Sequence, residues 1–372
     1  MNIKIILLGL FTLSFVQCTT HTTDTTIGYK FSNQETLVFE DIDYPEILGD
    51  IMQIIKIDSL LLINDYYGDS LLTVFNLNSN KVERKLLGQG EGPNELISPL
   101  EVLLSNNNLW ILSRPIHQLN HLSTQSIHKT PKLVRDLQVK TEADCFVPLT
   151  DTQFVLSGFW KKRYAWMNLQ KSDELIEFGE FPDFWEAEKD IPHLSKAMFH
   201  QCHFAVNPQK HLFASCSYFV LEIYEYDPSG KKCPTLKFKK QLGKYQYKFS
   251  TDEHVVFAKM KEGCDPVSVD IVGTENHIYL LTQDPEQRKQ RNILVLDWKG
   301  NPVKLLKTGQ RVMCFAVDEE NQMGYGIIQD PEDKLVSFKY NLDKFSYISK
   351  FHIVISCKLI VYIVMCFYQE TN

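Results

Sequence analysis

The chain has 372 residues and a formal net charge of −7, so it lacks the basic excess expected of a nucleic-acid-binding protein. Hydrophobic residues make up 44% of the sequence, and a chain of this length can build a core that needs no disulfide bonds. Nine cysteines are present without a C-x-x-C pair, which argues against the common zinc and redox motifs.

The N-terminal segment predicts export. Lys4 is followed by an apolar run over residues 5–16, which is typical of a secretory signal peptide and places one over residues 1–17. The run is too short to span a bilayer comfortably, because about 20 apolar residues are needed for that. Residues 18–29 are mostly polar and predict a tether ahead of the folded body.

Cys18, directly after the apolar region, indicates lipid modification. Its position resembles the lipobox of Gram-negative bacterial lipoproteins, in which the cysteine thiol is acylated and becomes the mature N-terminus. Gln17 departs from that motif, where a small residue is expected; ordinary cleavage nearby and a retained anchor are the alternatives. The resemblance implies an exported protein that is attached to the outer membrane through its N-terminal lipid.

The rest of the chain repeats one pattern six times. Short apolar or alternating runs rich in Val, Ile, Tyr and Phe recur between turn residues, and long amphipathic helices are almost absent, which predicts an all-β chain. Each repeat has an entering strand, an apolar second strand and a third strand. The second strands are predicted at residues 60–63, 109–112, 154–156, 212–214, 278–281 and 325–328. Their spacing suits a propeller blade, which takes roughly 40–50 residues.

These repeats predict a six-bladed β-propeller with four-stranded antiparallel blades, forming one continuous domain over residues 30–345. A single blade cannot bury both faces, so blades pack face to face around a central channel. Two repeats are lengthened by insertions at residues 182–200 and 243–262, and the first insertion predicts a short helix. Long loops on such a scaffold commonly carry its binding function.

A glycine-rich turn follows the first repeat and carries a family resemblance. Its characteristic residues are Gly88, Gly90, Gly92, Pro93 and Glu95. The pattern resembles the turn of exported six-bladed propellers that are called TolB-like or NHL-like. A phosphate-binding loop would need a helix directly afterwards, and the prolines of this stretch argue against one. We interpret Gly90 and Gly92 as positions where the chain crosses between blades with positive φ.

Two later segments, residues 197–230 and 267–281, also resemble this family, and the resemblance covers residues 30–345. TolB itself is a periplasmic binding partner. The members of this family share chiefly the propeller, so we expect a non-enzymatic binding or scaffold propeller at the cell envelope, with an unknown protein or small-molecule ligand and no cofactor. The alternative is a hydrolase or lyase that acts on glycans or peptides with carboxylates at the channel mouth, since fold alone does not fix function.

Chemistry-bearing residues cluster in few places. His200, Cys202 and His203 are metal-ligand types, but strand alternation would put His203 on the opposite face from the other two, so we expect packing and no metal. Folding the hairpin that follows sets Cys202 nearly opposite Cys216 and makes this pair a candidate disulfide. The acidic runs at residues 40–43 and 183–190 are expected to be solvated loops.

The C-terminal tail, residues 346–372, breaks from the preceding composition because its residues 351–368 are nearly all apolar. A membrane span is one interpretation, but Lys358 lies near its centre, and the outer strand of blade six is another. Residues 36–40 offer a closing strand for that blade instead. If they take that place, the tail has no position in the fold and is a candidate non-native extension.

Overall fold

The computed structural model describes residues 28–127, 129, 132–139, 143–171, 175–250 and 256–342. Within these ranges it contains 28 strands, short helical turns and one α-helix. Residues 1–27, which include the predicted signal peptide and Cys18, and residues 343–372, which include the apolar tail, lie outside the described residues. Nowhere in the described ranges is a helix both long and apolar enough to cross a membrane.

The first half of the chain supplies two N-terminal strands and three blades. The N-terminal strands are β1 (Gln34–Thr36) and β2 (Phe39–Asp41). Blade one comprises β3 (Ile51–Ile57), β4 (Leu60–Asp65), β5 (Ser70–Asn76) and β6 (Lys81–Gln89), with β7 (Glu95–Leu96) parallel to β6. Blade two comprises β8 (Leu100–Ser105), β9 (Asn108–Ser113), β10 (Gln118–Ser123) and β11 (Val134–Gln138). Blade three comprises β12 (Ala143–Pro148), β13 (Gln153–Gly158), β14 (Tyr164–Asn168) and β15 (Leu175–Phe178).

The second half supplies three more blades and a hairpin. Blade four comprises β16 (Cys202–Asn207), β17 (Leu212–Ser217), β18 (Val220–Glu225) and β19 (Thr235–Gln241). The separate hairpin is β20 (Tyr247–Phe249) with β21 (Ala258–Met260). Blade five comprises β22 (Ser268–Gly273), β23 (His277–Gln283), β24 (Arg291–Asp297) and β25 (Pro302–Lys307). Blade six contains β26 (Val312–Asp318), β27 (Met323–Gln329) and β28 (Asp333–Lys339). The predicted six-bladed all-β architecture is confirmed.

The blades are held together by apolar packing between neighbours. In β4, Leu60 and Leu62 pack in a cluster with blade two, whereas Leu61 and Ile63 pack in a cluster with blade six. This division follows the strand's two-residue period, which sends alternate side chains to opposite faces. Because a second strand is covered on both faces, its sequence reads as an unbroken apolar run.

The N-terminal strands close the ring. β2 pairs antiparallel with β28, placing Phe39 opposite Phe338 and supplying the fourth strand of blade six. β1 pairs parallel with β25 as a fifth strand on blade five. We predicted that residues 36–40 would close the ring. The closing strand is β2 (Phe39–Asp41), and β1, just before it, pairs with blade five instead.

The two insertions pack against each other. The first contains a 3₁₀ turn (Glu186–Glu188) and the short helix α1 (His193–Phe199); the second contains the β20–β21 hairpin. The Phe199 and Tyr247 rings stack across this contact with centroids 3.9 Å apart. Glu188 is fully buried beneath them and accepts hydrogen bonds from the hydroxyls of Tyr245 and Tyr247. Burial raises the pKa of Glu188 to about 7. The predicted short helix is present, but this part of the acidic run is not solvated.

Candidate functional site in the central channel

The innermost strands of the six blades surround the central channel. They are β3, β8, β12, β16, β22 and β26, and each contacts the next around the ring, with β26 contacting β3. One position is equivalent in all six strands, because in each blade it pairs with the fifth residue of the second strand. We call these residues the channel ring: Gln53, Glu101, Cys145, His203, Asp270 and Cys314.

Local backbone irregularities set the ring position in four of the inner strands. The register shifts immediately before Gln53, Cys145, Asp270 and Cys314. A β-bulge adds one residue and re-aims the following side chain. The two remaining strands, β8 and β16, reach the same position without a bulge, because each has one residue fewer between its first paired residue and the ring residue. Six different local sequences thus present their side chains at one level of the channel.

Three adjacent ring residues converge. One ligand-type atom from each of Glu101, Cys145 and His203 lies within 4.8 Å of the other two. The Cys145 side chain hydrogen-bonds to the Glu101 carboxyl group, and burial raises the pKa of both groups. Cys145 is buried, Glu101 is half-buried and His203 is exposed. The cluster therefore combines an acid, a thiol and an imidazole with access from the channel.

The fourth ionisable ring residue is Asp270. Its carboxylate accepts hydrogen bonds from the backbone N–H groups of Ile271, at 2.8 Å, and Phe315. Burial raises its pKa to about 6, while the nearby imidazole of His203 acts in the opposite direction. Asp270 also interacts electrostatically with Glu101. The ring is acidic on balance, which favours ligands that carry cationic or hydrogen-bond-donating groups.

Polar contacts between blades frame the ring. Gln53 Nε2 donates to the Val102 carbonyl oxygen at 2.8 Å, which joins the inner strands of blades one and two. Arg114 forms an ion pair with Asp144, which precedes Cys145 in β12. These two contacts join blade one to blade two and blade two to blade three, so the ring residues lie on strands that are tied to their neighbours.

The predicted family turn lies between blades one and two, apart from the channel ring. The Glu95 carboxylate accepts the Gly92 N–H at 2.8 Å, and Gly92–Glu95 form a β-turn in which Pro93 holds the first central position. Gly90 has φ +151°, and a Cβ there would lie 2.3 Å from a Glu95 oxygen. Arg135 of blade two donates to the Gly92 carbonyl at 2.7 Å. The turn is a structural link between the blades.

The glycines of this turn provide space for the Glu95 side chain, whereas we expected Gly90 and Gly92 to provide positive φ. Gly90 has the positive φ that we predicted, but Gly92, for which we predicted the same, does not. A Cβ at Gly92 would lie 2.8 Å from a Glu95 oxygen, and one at Gly88 would lie 3.3 Å from the Glu95 side chain. Gly90 and Gly92 make room for the Glu95 carboxylate, and Gly88 lies against the rest of the same side chain.

The candidate disulfide between Cys202 and Cys216 is not formed, and this prediction was wrong. β16 and β17 pair Cys202 with Ser217 and His203 with Cys216. Because directly paired residues share a face, this one-residue offset sends the two thiols to opposite faces of blade four. Cys202 packs toward blade three and Cys216 toward blade five, and both are free.

The residues His200, Cys202 and His203 also separate. His200 caps helix α1, and its Nε2 lies 2.9 Å from Glu188 Oε1 in the buried contact between the insertions. Cys202 belongs to the core, and His203 alone reaches the channel ring. Sequence reasoning missed Glu101, Cys145 and Asp270. The bulges just before Cys145 and Asp270 break the strand alternation by which a sequence would place those two side chains.

Comparison with known proteins agrees with the architecture. The model of the TolB-like 6-blade propeller-like family matches residues 34–320. A solved structure of a DUF4221 family member from Bacteroides vulgatus has 12% identity and a TM-score of 0.50, covering 82% of this chain and 97% of that one. A protein described as exported, from Bacteroides fragilis, has 12% identity and a TM-score of 0.47, covering 81% of this chain and 94% of that one.

A search of curated proteins finds no match. The identity to the DUF4221 family member is low, so that similarity concerns the fold alone. The family match spans all six blades, from β1 to the inner strand of the last blade. The chain therefore belongs to the TolB-like six-blade propeller family.

Proposed function

We propose that this protein is an exported lipoprotein that displays a binding propeller at the cell envelope and receives a small polar ligand in its central channel. The channel ring carries this proposal. Four of its six positions hold Gln, Glu, His or Asp, while the faces between blades are filled by apolar clusters.

The cost of desolvation supports a binding role for these polar groups. Burying an ionisable side chain destabilises a fold unless the group is paired or stays near water. Glu101 and Asp270 both have pKa values raised by burial, so the fold retains them at some energetic cost. Polar groups that converge in a concave site are the usual basis of ligand specificity. The acidic balance of the ring favours amines or polyhydroxyl compounds over anions.

The envelope location is supported by the N-terminal sequence. Replacing Cys18 by Ala should move the protein from the membrane fraction to the soluble envelope fraction, because acyl chains on this thiol would supply the anchor. Immunoblotting of separated membrane and soluble fractions measures the change, with Cys233→Ala as the matched control that should stay in the membrane. Membrane sedimentation of the Cys18→Ala protein at the wild-type level would contradict lipid anchoring.

Ligand binding in the channel is tested through Asp270. We expect an amine or sugar from a screened panel to raise the melting temperature of the wild-type protein and to have little effect on Asp270→Asn, since the carboxylate is lost without a change in size. Thermal-shift measurements with chelator-treated protein provide the readout. Asp227→Asn is the control, because Asp227 lies on an exposed turn and makes only local hydrogen bonds. Equal shifts in the wild type and Asp270→Asn would argue against the channel ring as the binding site.

A second candidate function rests on two carboxyl groups in the same ring. Glu101 and Asp270 are close enough to interact electrostatically, and a pair of carboxyl groups is the basis of glycoside hydrolysis. Turnover of a glycan or peptide that is lost in Asp270→Asn, with substrate binding retained, would favour this hydrolase or lyase over the binding protein.

A further inference from the structure

We propose that Glu101, Cys145 and His203 form a binding site for one divalent transition-metal ion, with Zn²⁺ as the best fit. The site lies in the channel ring, but the inference goes beyond the proposed function, because it requires neither the lipid anchor nor an organic ligand.

The geometry suits a tetrahedral ion. The three ligand-type atoms lie within 4.8 Å of one another. Ligand atoms around tetrahedral zinc are separated by roughly 3.3–3.8 Å, given bond lengths of roughly 2.0–2.3 Å. Each pair of atoms must therefore approach by at most about 1.5 Å to reach the separations of a tetrahedral site, a shift within the range of side-chain rotation. The ligands come from β8, β12 and β16, the inner strands of three consecutive blades.

The donor set selects the kind of metal. A thiolate and an imidazole favour zinc and related transition metals, whereas magnesium and calcium prefer oxygen ligands alone. On binding, the Cys145 thiol releases its proton to solvent and the sulfur bonds to the ion. The Cys145 thiolate and the Glu101 carboxylate then carry two negative charges, which balance the charge of the ion.

Neighbouring groups support the three ligands. Asp270 interacts electrostatically with His203, and carboxylates near metal-bound histidines commonly orient the imidazole and raise its basicity. Arg114 lies near both Cys145 and Glu101, and its positive charge favours the thiolate form of the cysteine. Because Arg114 is itself paired with Asp144, its repulsion of a metal ion is reduced.

The site would leave one coordination position open. Zinc sites with three protein ligands usually hold water or a bound molecule in the fourth position. His203 is exposed, so the open position is expected to face the channel. The metal would then add a Lewis acid to the acidic ring.

The inference is tested with Co²⁺ and Zn²⁺ on the full chain, after reduction and removal of bound metal with chelator. Metal per chain is measured by equilibrium dialysis, and thiolate coordination by the sulfur-to-Co²⁺ charge-transfer band. The test variants are Cys145→Ser, His203→Gln and Glu101→Gln. The matched controls are Cys233→Ser, His211→Asn and Glu225→Gln, whose side chains are exposed or half-buried and lie away from the ring. Circular dichroism checks that every variant is folded.

We expect the wild type and the controls to bind one ion per chain and to show the charge-transfer band. Cys145→Ser should lose the band, and each ring variant should lose affinity by more than about 100-fold, the upper end of the effect of removing an outer-shell partner. Absence of stoichiometric binding by the folded wild type, or a band that persists in Cys145→Ser, would overturn the inference. Either result leaves the membrane fractionation and the thermal-shift tests of the proposed function unaffected.

Discussion

Deletion of residues 34–41 is expected to abolish the cooperatively folded propeller, because this segment supplies β1 and β2. Its loss leaves blade six with three strands and exposes the edge of β28. It also removes Leu37, which is buried, and Phe39, whose ring packs on Phe338 with centroids 5.3 Å apart. Removing one such side chain costs about 2–5 kcal/mol. Loss of the whole strand is therefore comparable to the total stability of a domain, about 5–15 kcal/mol.

Urea unfolding followed by circular dichroism measures this loss, and truncation after Lys350 is the companion experiment. The described strands already complete six blades by Lys339, so removal of the residues that follow Lys350 should leave the unfolding midpoint unchanged. It should also reduce aggregation, since apolar β-prone segments promote association. A soluble, folded deletion variant together with an unfolded truncation would show that the ring closes from the other end of the chain.

Glu222→Ala is expected to destabilise the protein by about 3–5 kcal/mol, the usual cost of removing one partner from a buried ion pair. Glu222 and Arg163 are 1% and 2% exposed, and the Arg163 Nε atom lies 3.4 Å from Glu222 Oε2. The same carboxylate accepts the Tyr164 hydroxyl at 2.6 Å, and Lys239 Nζ lies 3.2 Å from its other oxygen. Alanine would leave the Arg163 charge in the interface between blades three and four with its main partner missing.

Glu225→Ala is the matched control for this prediction. Glu225 lies on the same strand, β18, and pairs with Lys237 on β19, but both side chains are about half exposed, at 52% and 50%. An exposed pair contributes about 0–1 kcal/mol, so the control should change the free energy of unfolding little. Chemical denaturation of the three proteins gives the comparison. Similar small losses in both variants would mean that water reaches the Glu222 carboxylate in the folded state.

Much of the fold could be predicted from the sequence because packing between blades produces a recognisable pattern within short stretches of the chain. The second strands are covered on both faces, so each appears as a short apolar run, and six such runs recur at blade-like spacing. The family turn is equally local, since Gly88, Gly90 and Gly92 surround a glutamate only a few residues away. Closure by an N-terminal strand follows from the need to cover a sheet edge.

The channel ring could not be predicted in the same way. Glu101, Cys145 and His203 lie in three different repeats, and their convergence depends on how adjacent blades are placed around the axis. The bulge before Cys145 interrupts the alternation of side chains between the two faces of β12. The face on which the Cys145 side chain lies therefore cannot be inferred from that alternation. Likewise, a one-residue difference in the pairing of β16 with β17 turned an expected disulfide into two free thiols on opposite faces.

The sequence by itself determined the number of blades, their order along the chain and the turn that links the first two, because each depends on contacts between residues near one another in the chain. Only the tertiary structure decided which polar side chains meet in the channel, that Glu188 is buried between the insertions, and that the two N-terminal strands divide between blades five and six. These features arise from contacts between distant parts of the chain. Such contacts are set by strand register and blade packing, which leave no periodic pattern in the sequence.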